Sequence, residues 1–273
     1  MLKASFIILA GIIWISSCCF TAPPAAAAPP ENLEDASEML REFIYKRPGM
    51  RKTLYCGCSF DENGVVDTGS CGYSRSGEAV QEGPRGGGIK IEITQPGDVE
   101  SGRGPLEDDN AEQTAAGDDL VIAWETIVPP SWYGWHFSCW TMKDQICSRR
   151  TALECCRETD PDFNRVEGDM HNIYPVIRRL KGIRADSPYA DIPLEKREYG
   201  KCDFEFDGES VEPGAKARGV VARAVLYMDN KYMYTYGEWM LEKEARKLME
   251  TWDGEDPPAE WEIQRNRLAG QFQ

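Results

Sequence analysis

Ten cysteines and two histidines set the first limits on what chemistry this 273-residue chain can do. Eight of the cysteines lie beyond residue 30: Cys56, Cys58, Cys71, Cys139, Cys147, Cys155, Cys156 and Cys202. An even number in an exported protein implies disulfides, with 105 formal pairings for eight thiols. Cys56-Gly57-Cys58 has the look of half a zinc site, but a structural zinc needs a second cluster of ligands. His136 and His171 are the only imidazoles, so disulfides are the expected use of the thiols. A proton acceptor near pH 7 is most simply a neutral histidine. Tyr174 is a conceivable substitute, although an unperturbed phenol stays protonated at neutral pH.

The N-terminus reads as a targeting segment. Lys3 supplies a positive charge, Phe6 to Ile15 a short apolar run, and Ala22 to Pro30 a Pro/Ala-rich stretch with A-x-A-type cleavage sites at Ala25 to Ala28. The apolar run is too short to cross a bilayer and has the form of a secretory signal. Ile15-Ser16-Ser17-Cys18 also has the form of a bacterial lipobox. If Cys18 is lipidated, the Pro/Ala run tethers the domain to a membrane. Otherwise the protein is exported in soluble form, to the periplasm, the cell envelope or the medium.

The rest, residues 31–273, reads as one mainly helical α+β domain. A first helix is predicted over Ala36 to Lys46, with Asp35 and Glu38 as a capping box and Met39, Leu40, Phe43 and Ile44 as its apolar face. Asn63-Gly64 marks a turn, and Leu120 to Trp124 reads as a buried strand leading into Glu125. Asp160-Pro161 starts a helix predicted to run through Val166 and Met170, carrying Glu167, Asp169 and His171. Another is predicted from Pro213, with Val220, Val221, Ala224, Val225 and Met228 on one face. Leu241, Ala245, Leu248, Met249 and Trp252 repeat the pattern. The aromatic run 132–137 reads as core packing rather than as a platform for stacked bases.

Residues 74–119 break the pattern. They hold eleven acids against four bases, a net −7, and are too polar to bury much apolar area, so they read as a solvated surface excursion with one candidate strand at Ile89 to Ile93. The whole chain carries −15. Since residues 1–30 contain Lys3 and no acid, the remainder stands at −16. Such a surface repels polyanions at long range unless a local basic strip overrides the total, which counts against a nucleic-acid partner.

Several ordered motifs nevertheless point to one. Leu54-Tyr55-Cys56-Gly57-Cys58, Ser70-Cys71-Gly72-Tyr73, Trp124-Glu125-Thr126-Ile127-Val128-Pro129, Cys139-Trp140, Val166-Glu167-Gly168-Asp169-Met170-His171-Asn172, Tyr199-Gly200-Lys201-Cys202 and Ala217-Arg218-Gly219-Val220-Val221-Ala222-Arg223 occur in that order, followed by Trp261-Glu262 with Arg265. Together they resemble the bacterial endonuclease I family, exported nucleases built around a ββα-metal (His-Me finger) motif, from about Leu54 to Arg267 with the acidic segment inserted. The resemblance implies cleavage of DNA or RNA phosphodiester bonds with a divalent metal, most simply Mg²⁺.

It also implies a site. In the family, W-E-H supplies a metal-binding Glu and a general-base His, an N-G-D-R segment supplies a metal-binding Asn, and an Arg holds the phosphate. Glu125 keeps the Glu position, while Thr126 falls on the His. Lys181 falls on the Asn, within Lys181-Gly182-Ile183-Arg184. As an ammonium, it has three donors and no acceptor, so it cannot ligate a cation and would instead pair with Glu125. The phosphate position falls near Lys143 to Gln145, where only Lys143 is cationic. Glu167 matches a family acid expected near the site. His171 matches a second family His and His136 lies one position beyond another, so both are expected to be structural. Ile263 replaces a family Cys, whereas Cys155-Cys156 is additional. These substitutions lead us to expect a nuclease fold with lost or impaired hydrolysis. The alternatives are an active divergent nuclease that uses His136 or His171 as base, or a structural lipoprotein.

Overall fold

The computed structural model describes residues 28–74, 120–193, 197–233 and 241–273. The N-terminal segment with Cys18, and all but Ser74 of the acidic segment (including the candidate strand at Ile89 to Ile93), lie outside the described residues.

Among the described residues the architecture is α+β, with helices packed around three two-stranded antiparallel sheets. Helix α1 (Leu33–Met39) passes directly into a π-helical turn, Leu40–Tyr45. It starts three residues earlier than its sequence pattern indicated, because Asn32 rather than Asp35 caps it, its side chain accepting from the Asp35 N–H. Leu40 and Ile44 are buried as expected, but Phe43 is exposed and meets Phe272 at 5.3 Å. Strands β1 (Ser59–Phe60) and β2 (Val66–Asp67) pair across the Asn63-Gly64 turn, where Gly64 adopts φ +81°.

The central pair is β3 (Ile122–Thr126) with β4 (Ile173–Ile177), in register from Ile122↔Ile177 to Thr126↔Ile173. β4 runs without a break into helix α6 (Arg178–Arg184). Before β4 come short helices α2 (Ser138–Thr141) and α3 (Lys143–Ile146), then α4 (Ala152–Thr159) and α5 (Pro161–Glu167). β3 is only partly buried apart from Glu125, a carboxylate sealed into the strand that the sequence suggested would bury apolar side chains.

Two predicted helix boundaries are corrected. α5, capped by Asp160 with Pro161 in its first turn, stops at Glu167 instead of continuing through Met170. Gly168 lies against the backbone of Asn32, where an added Cβ would sit 2.8 Å from the Asn32 oxygen, and Asp169 then caps a separate 3₁₀ turn, Met170–Asn172. Pro213 closes a strand rather than opening a helix: β5 (Phe204–Phe206) pairs with β6 (Val211–Pro213), and α7 (Ala215–Met228) begins after Gly214. The predicted inner face of α7 is buried throughout, as are Ala245, Leu248, Met249 and Trp252 of α8 (Lys243–Glu255), which packs along α7. α9 (Glu260–Ala269) completes the core through Arg265.

All eight cysteines past residue 30 are in disulfides: Cys56–Cys202, Cys58–Cys71, Cys139–Cys156 and Cys147–Cys155. The adjacent Cys155 and Cys156 thus staple α4 to the segment holding α2 and α3. Ile263, on the family cysteine position, is exposed.

Candidate functional site

Glu125 is brought to its environment by three separate pieces of chain. The Leu54 N–H donates to the Pro175 carbonyl of β4 (2.8 Å), which sets Tyr55 beside the sheet. From there the Tyr55 hydroxyl donates to Glu125 Oε1 (2.7 Å) and meets the Tyr189 hydroxyl at 2.9 Å. The last residue of α6, Arg184, reaches back across the sheet. Its Nη1 donates to Glu125 Oε1 (3.0 Å) and to the Thr126 carbonyl (3.0 Å), and its Nη2 to the Ile127 carbonyl (2.7 Å). The guanidinium carbon also lies 4.8 Å from the Tyr189 ring centre and 5.6 Å from that of Trp132. The Arg184 and Glu125 side chains are 1% and 2% exposed, so the ion pair is closed off from solvent.

This corrects the expected partner of Glu125. The cation bonded to it is Arg184, whereas Lys181, one helical turn earlier and half-buried, acts on Glu125 through its charge. An arginine suits the position because its planar fork can serve a carboxylate and two carbonyls at once, which a single ammonium cannot. Burial pushes the Glu125 carboxyl above its usual value, against the opposing pull of Arg184, the Tyr55 hydrogen bond and Lys181. Burial would equally strip the proton from Arg184, but Tyr189, Glu125 and Tyr55 outweigh it and raise its pKa, so the cation is permanent.

The donor set does not fit a divalent cation. Mg²⁺ takes oxygen ligands and keeps several waters. Glu125 has only Oε2 left, a buried atom without a hydrogen-bond partner among the described residues, and two cationic side chains already bear on this carboxylate. Among the described residues, no group of three His, Cys, Asp or Glu side chains could hold a metal ion. Thr126 ends β3 beside Glu125, half-buried, with its carbonyl taken by Arg184. A hydroxyl there has no basicity useful at neutral pH.

The other sequence candidates fall elsewhere. Glu167 is buried in a bidentate pair with Arg157, whose Nε and Nη2 donate at 2.7 to 3.1 Å. Lys143 pairs with its neighbour Asp144 at 2.7 Å. His136 closes a 3₁₀ turn with its ring 3.4 Å from that of Trp135. Trp132, Tyr133 and Phe137 are core residues, as the aromatic run suggested. Tyr174 is buried under the Arg265 guanidinium, 3.9 Å from its ring centre, and burial pushes its phenol up to about 12, so it is no base near neutrality.

The sequence reading missed a second polar centre. Fully buried Asp169 accepts through Oδ2 from Lys231 Nζ (2.7 Å), the Tyr232 hydroxyl (2.7 Å) and the Tyr227 hydroxyl (3.0 Å). Oδ1 accepts from the His171 N–H (3.0 Å) and Gln273 Nε2 (2.8 Å). Burial alone would raise its pKa, but the hydrogen bonds from His171 and the Lys231 charge outweigh it and hold the carboxyl well below the usual range. A π-helical turn, Asp229–Met233, follows α7. Lys231 and Tyr232 of this turn thus meet Tyr227, near the end of α7, on one carboxylate oxygen.

Comparison with known proteins agrees with the motif order. The family model for Endonuclease I matches residues 44–273. An extracellular deoxyribonuclease of Aeromonas hydrophila is 30% identical over 266 residues, covering 94% of this chain and 92% of the relative. A periplasmic deoxyribonuclease of the same species is 35% identical over 155 residues, 56% of this chain and 60% of the relative. Endonuclease-1 of Buchnera aphidicola subsp. Acyrthosiphon pisum (strain APS) is 31% identical over 149 residues, 54% of each chain. With the family matched over most of its length and an extended relative at this identity, the chain belongs to the endonuclease I family.

Proposed function

We propose that this chain is an exported member of its family in which β3, β4 and α6 form the ββα unit and phosphodiester hydrolysis is lost or strongly impaired. The observation that carries this reading is what surrounds Glu125 on the family's metal position: Thr126 beside it cannot accept a proton at neutral pH, and Lys181, on the position of the family's ligand Asn, bears on the carboxylate with its charge. Loss of a general base alone costs on the order of 10²–10⁴ in rate. The fully buried Arg184 cannot turn out to bind substrate without giving up three hydrogen bonds.

Nucleic acid remains the substrate class this family membership implies, with DNA favoured by the deoxyribonuclease names of the relatives. Their extracellular and periplasmic descriptions support export, in keeping with the signal-like N-terminus. A rescuing imidazole gains no support. His171 is engaged with Asp169 and Gln273, and the His136 ring lies against Trp135. The test is incubation of the purified, oxidised chain with plasmid DNA and with RNA in Mg²⁺ or Mn²⁺. No chelator-sensitive cleavage above background is expected, and robust metal-dependent cleavage overturns the proposal.

A further inference from the structure

The Asp169 centre fixes a proton position by hydrogen-bond logic alone. Asp169 is ionised, so both oxygens can only accept. The Gln273 group 2.8 Å from Oδ1 must therefore be its NH₂, which turns the amide oxygen toward His171 Nδ1 at 2.7 Å. An amide oxygen can only accept, so Nδ1 carries the hydrogen, and in the neutral ring Nε2 is left as the acceptor. The carboxamide thus spans an imidazole donor and a carboxylate acceptor, which themselves stand 3.3 Å apart.

A second contact anchors the same tail, since Phe272 packs on Phe43 and its N–H donates to the Ala269 carbonyl. The groups facing the pair from other elements are Tyr227, whose ring lies 4.7 Å from that of His171, together with Lys231 and Tyr232 on the π-helical turn.

We propose that Asp169 and His171 form a binding site for a primary carboxamide, that Gln273 is its resident ligand, and that this contact is a latch holding residues 272 and 273 against the domain. The specificity follows from the two atoms read. A carboxylate would lack the donor that Asp169 needs and would bring like charge against it. An aliphatic side chain would leave both polar groups unserved. This site is independent of the Glu125 pair and of whether the chain cleaves nucleic acid.

The test uses the oxidised 273-residue protein and two variants, Gln273→Glu and Gln273→Leu. Gln273 is exposed, so neither change disturbs the core. Since the chain has only two histidines, ¹⁵N NMR at a pH where both rings are neutral reads the His171 tautomer directly. The wild type should show Nδ1–H, the tautomer that lets the ring donate to the Gln273 amide oxygen. Hydrogen exchange at the Phe272 amide should accelerate about ten-fold or more in each variant, with β3 and β4 amides unchanged. Wild-type exchange at the Phe272 amide in both variants overturns the latch. So does a wild-type His171 protonated on Nε2.

Discussion

Replacing Glu125 by Gln separates two views of the closed pair: a structural joint or a vestige that could be spared. Glu125→Gln keeps the shape of the side chain but removes its charge. Arg184 stays 1% exposed, with only the carbonyls of Thr126 and Ile127 as hydrogen-bond partners. Leaving a buried charge without its counter-ion costs about 3–5 kcal/mol. The two hydrogen bonds into Oε1, from Tyr55 and Arg184, bracket the same range at roughly 1.5–3 kcal/mol each for bonds to a charged group. For a domain of this size, each kcal/mol is worth about 2–4 °C, so the melting temperature should fall by roughly 6–20 °C. The double change Glu125→Leu with Arg184→Met removes both charges and should recover most of that loss. Thermal unfolding at pH 7 with the disulfides intact measures both. A carboxylate whose only purpose is to hold a metal is a liability to an apo fold, and its removal tends to stabilise. A Glu125→Gln protein as stable as the wild type, or more so, would therefore refute the reasoning.

Other consequences follow from the same coordinates. Asp169 is depressed in the fold, so its contribution is fully present above the ordinary Asp value of about 3.9 and is lost as pH falls through the lower folded value. Urea midpoints should therefore drop below about pH 4, and Asp169→Asn should flatten that part of the profile. Glu167→Gln leaves Arg157 at the surface, where water can serve it, so its cost should be smaller than that of Glu125→Gln, with chemical denaturation as the readout. Breaking Cys56–Cys202, which spans 146 residues, as the double alanine variant should cost on the order of 4–5 kcal/mol. Breaking Cys147–Cys155, separated by 8, should cost less.

Much of this protein is legible in its sequence where one short stretch carries the whole signal. The apolar periods of α7 and α8 and the Asp160-Pro161 start of α5 are local patterns, and the structure keeps them. Glu125 and Thr126 are legible through a six-residue motif. The misses come from contacts between distant segments. Asn32 takes over the cap of α1, and the backbone of Asn32 packed on Gly168 stops α5 before Met170. Glu125 meets Tyr55 and Arg184 from 70 and 59 residues away, which no spacing rule can reveal. Arg184 did leave one trace, because it occupies the arginine position of the N-G-D-R-like segment. The segment carries two cations, Lys181 and Arg184, and only the fold distinguishes the one bonded to Glu125. The Asp169 centre joins Tyr227, Lys231 and Tyr232 to a carboxylate 58 to 63 residues away, which helical periodicity does not reveal.

The most direct test of the central claim is the rate of supercoiled-plasmid nicking by the wild-type chain beside Thr126→His with Lys181→Asn, each with Mg²⁺ and with EDTA. No chelator-sensitive nicking is expected of the wild type, and the double variant should show a metal-dependent gain on the order of 10²–10⁴ if base and ligand are the missing parts. Wild-type nicking that requires Mg²⁺ and is not increased by the double substitution would contradict it.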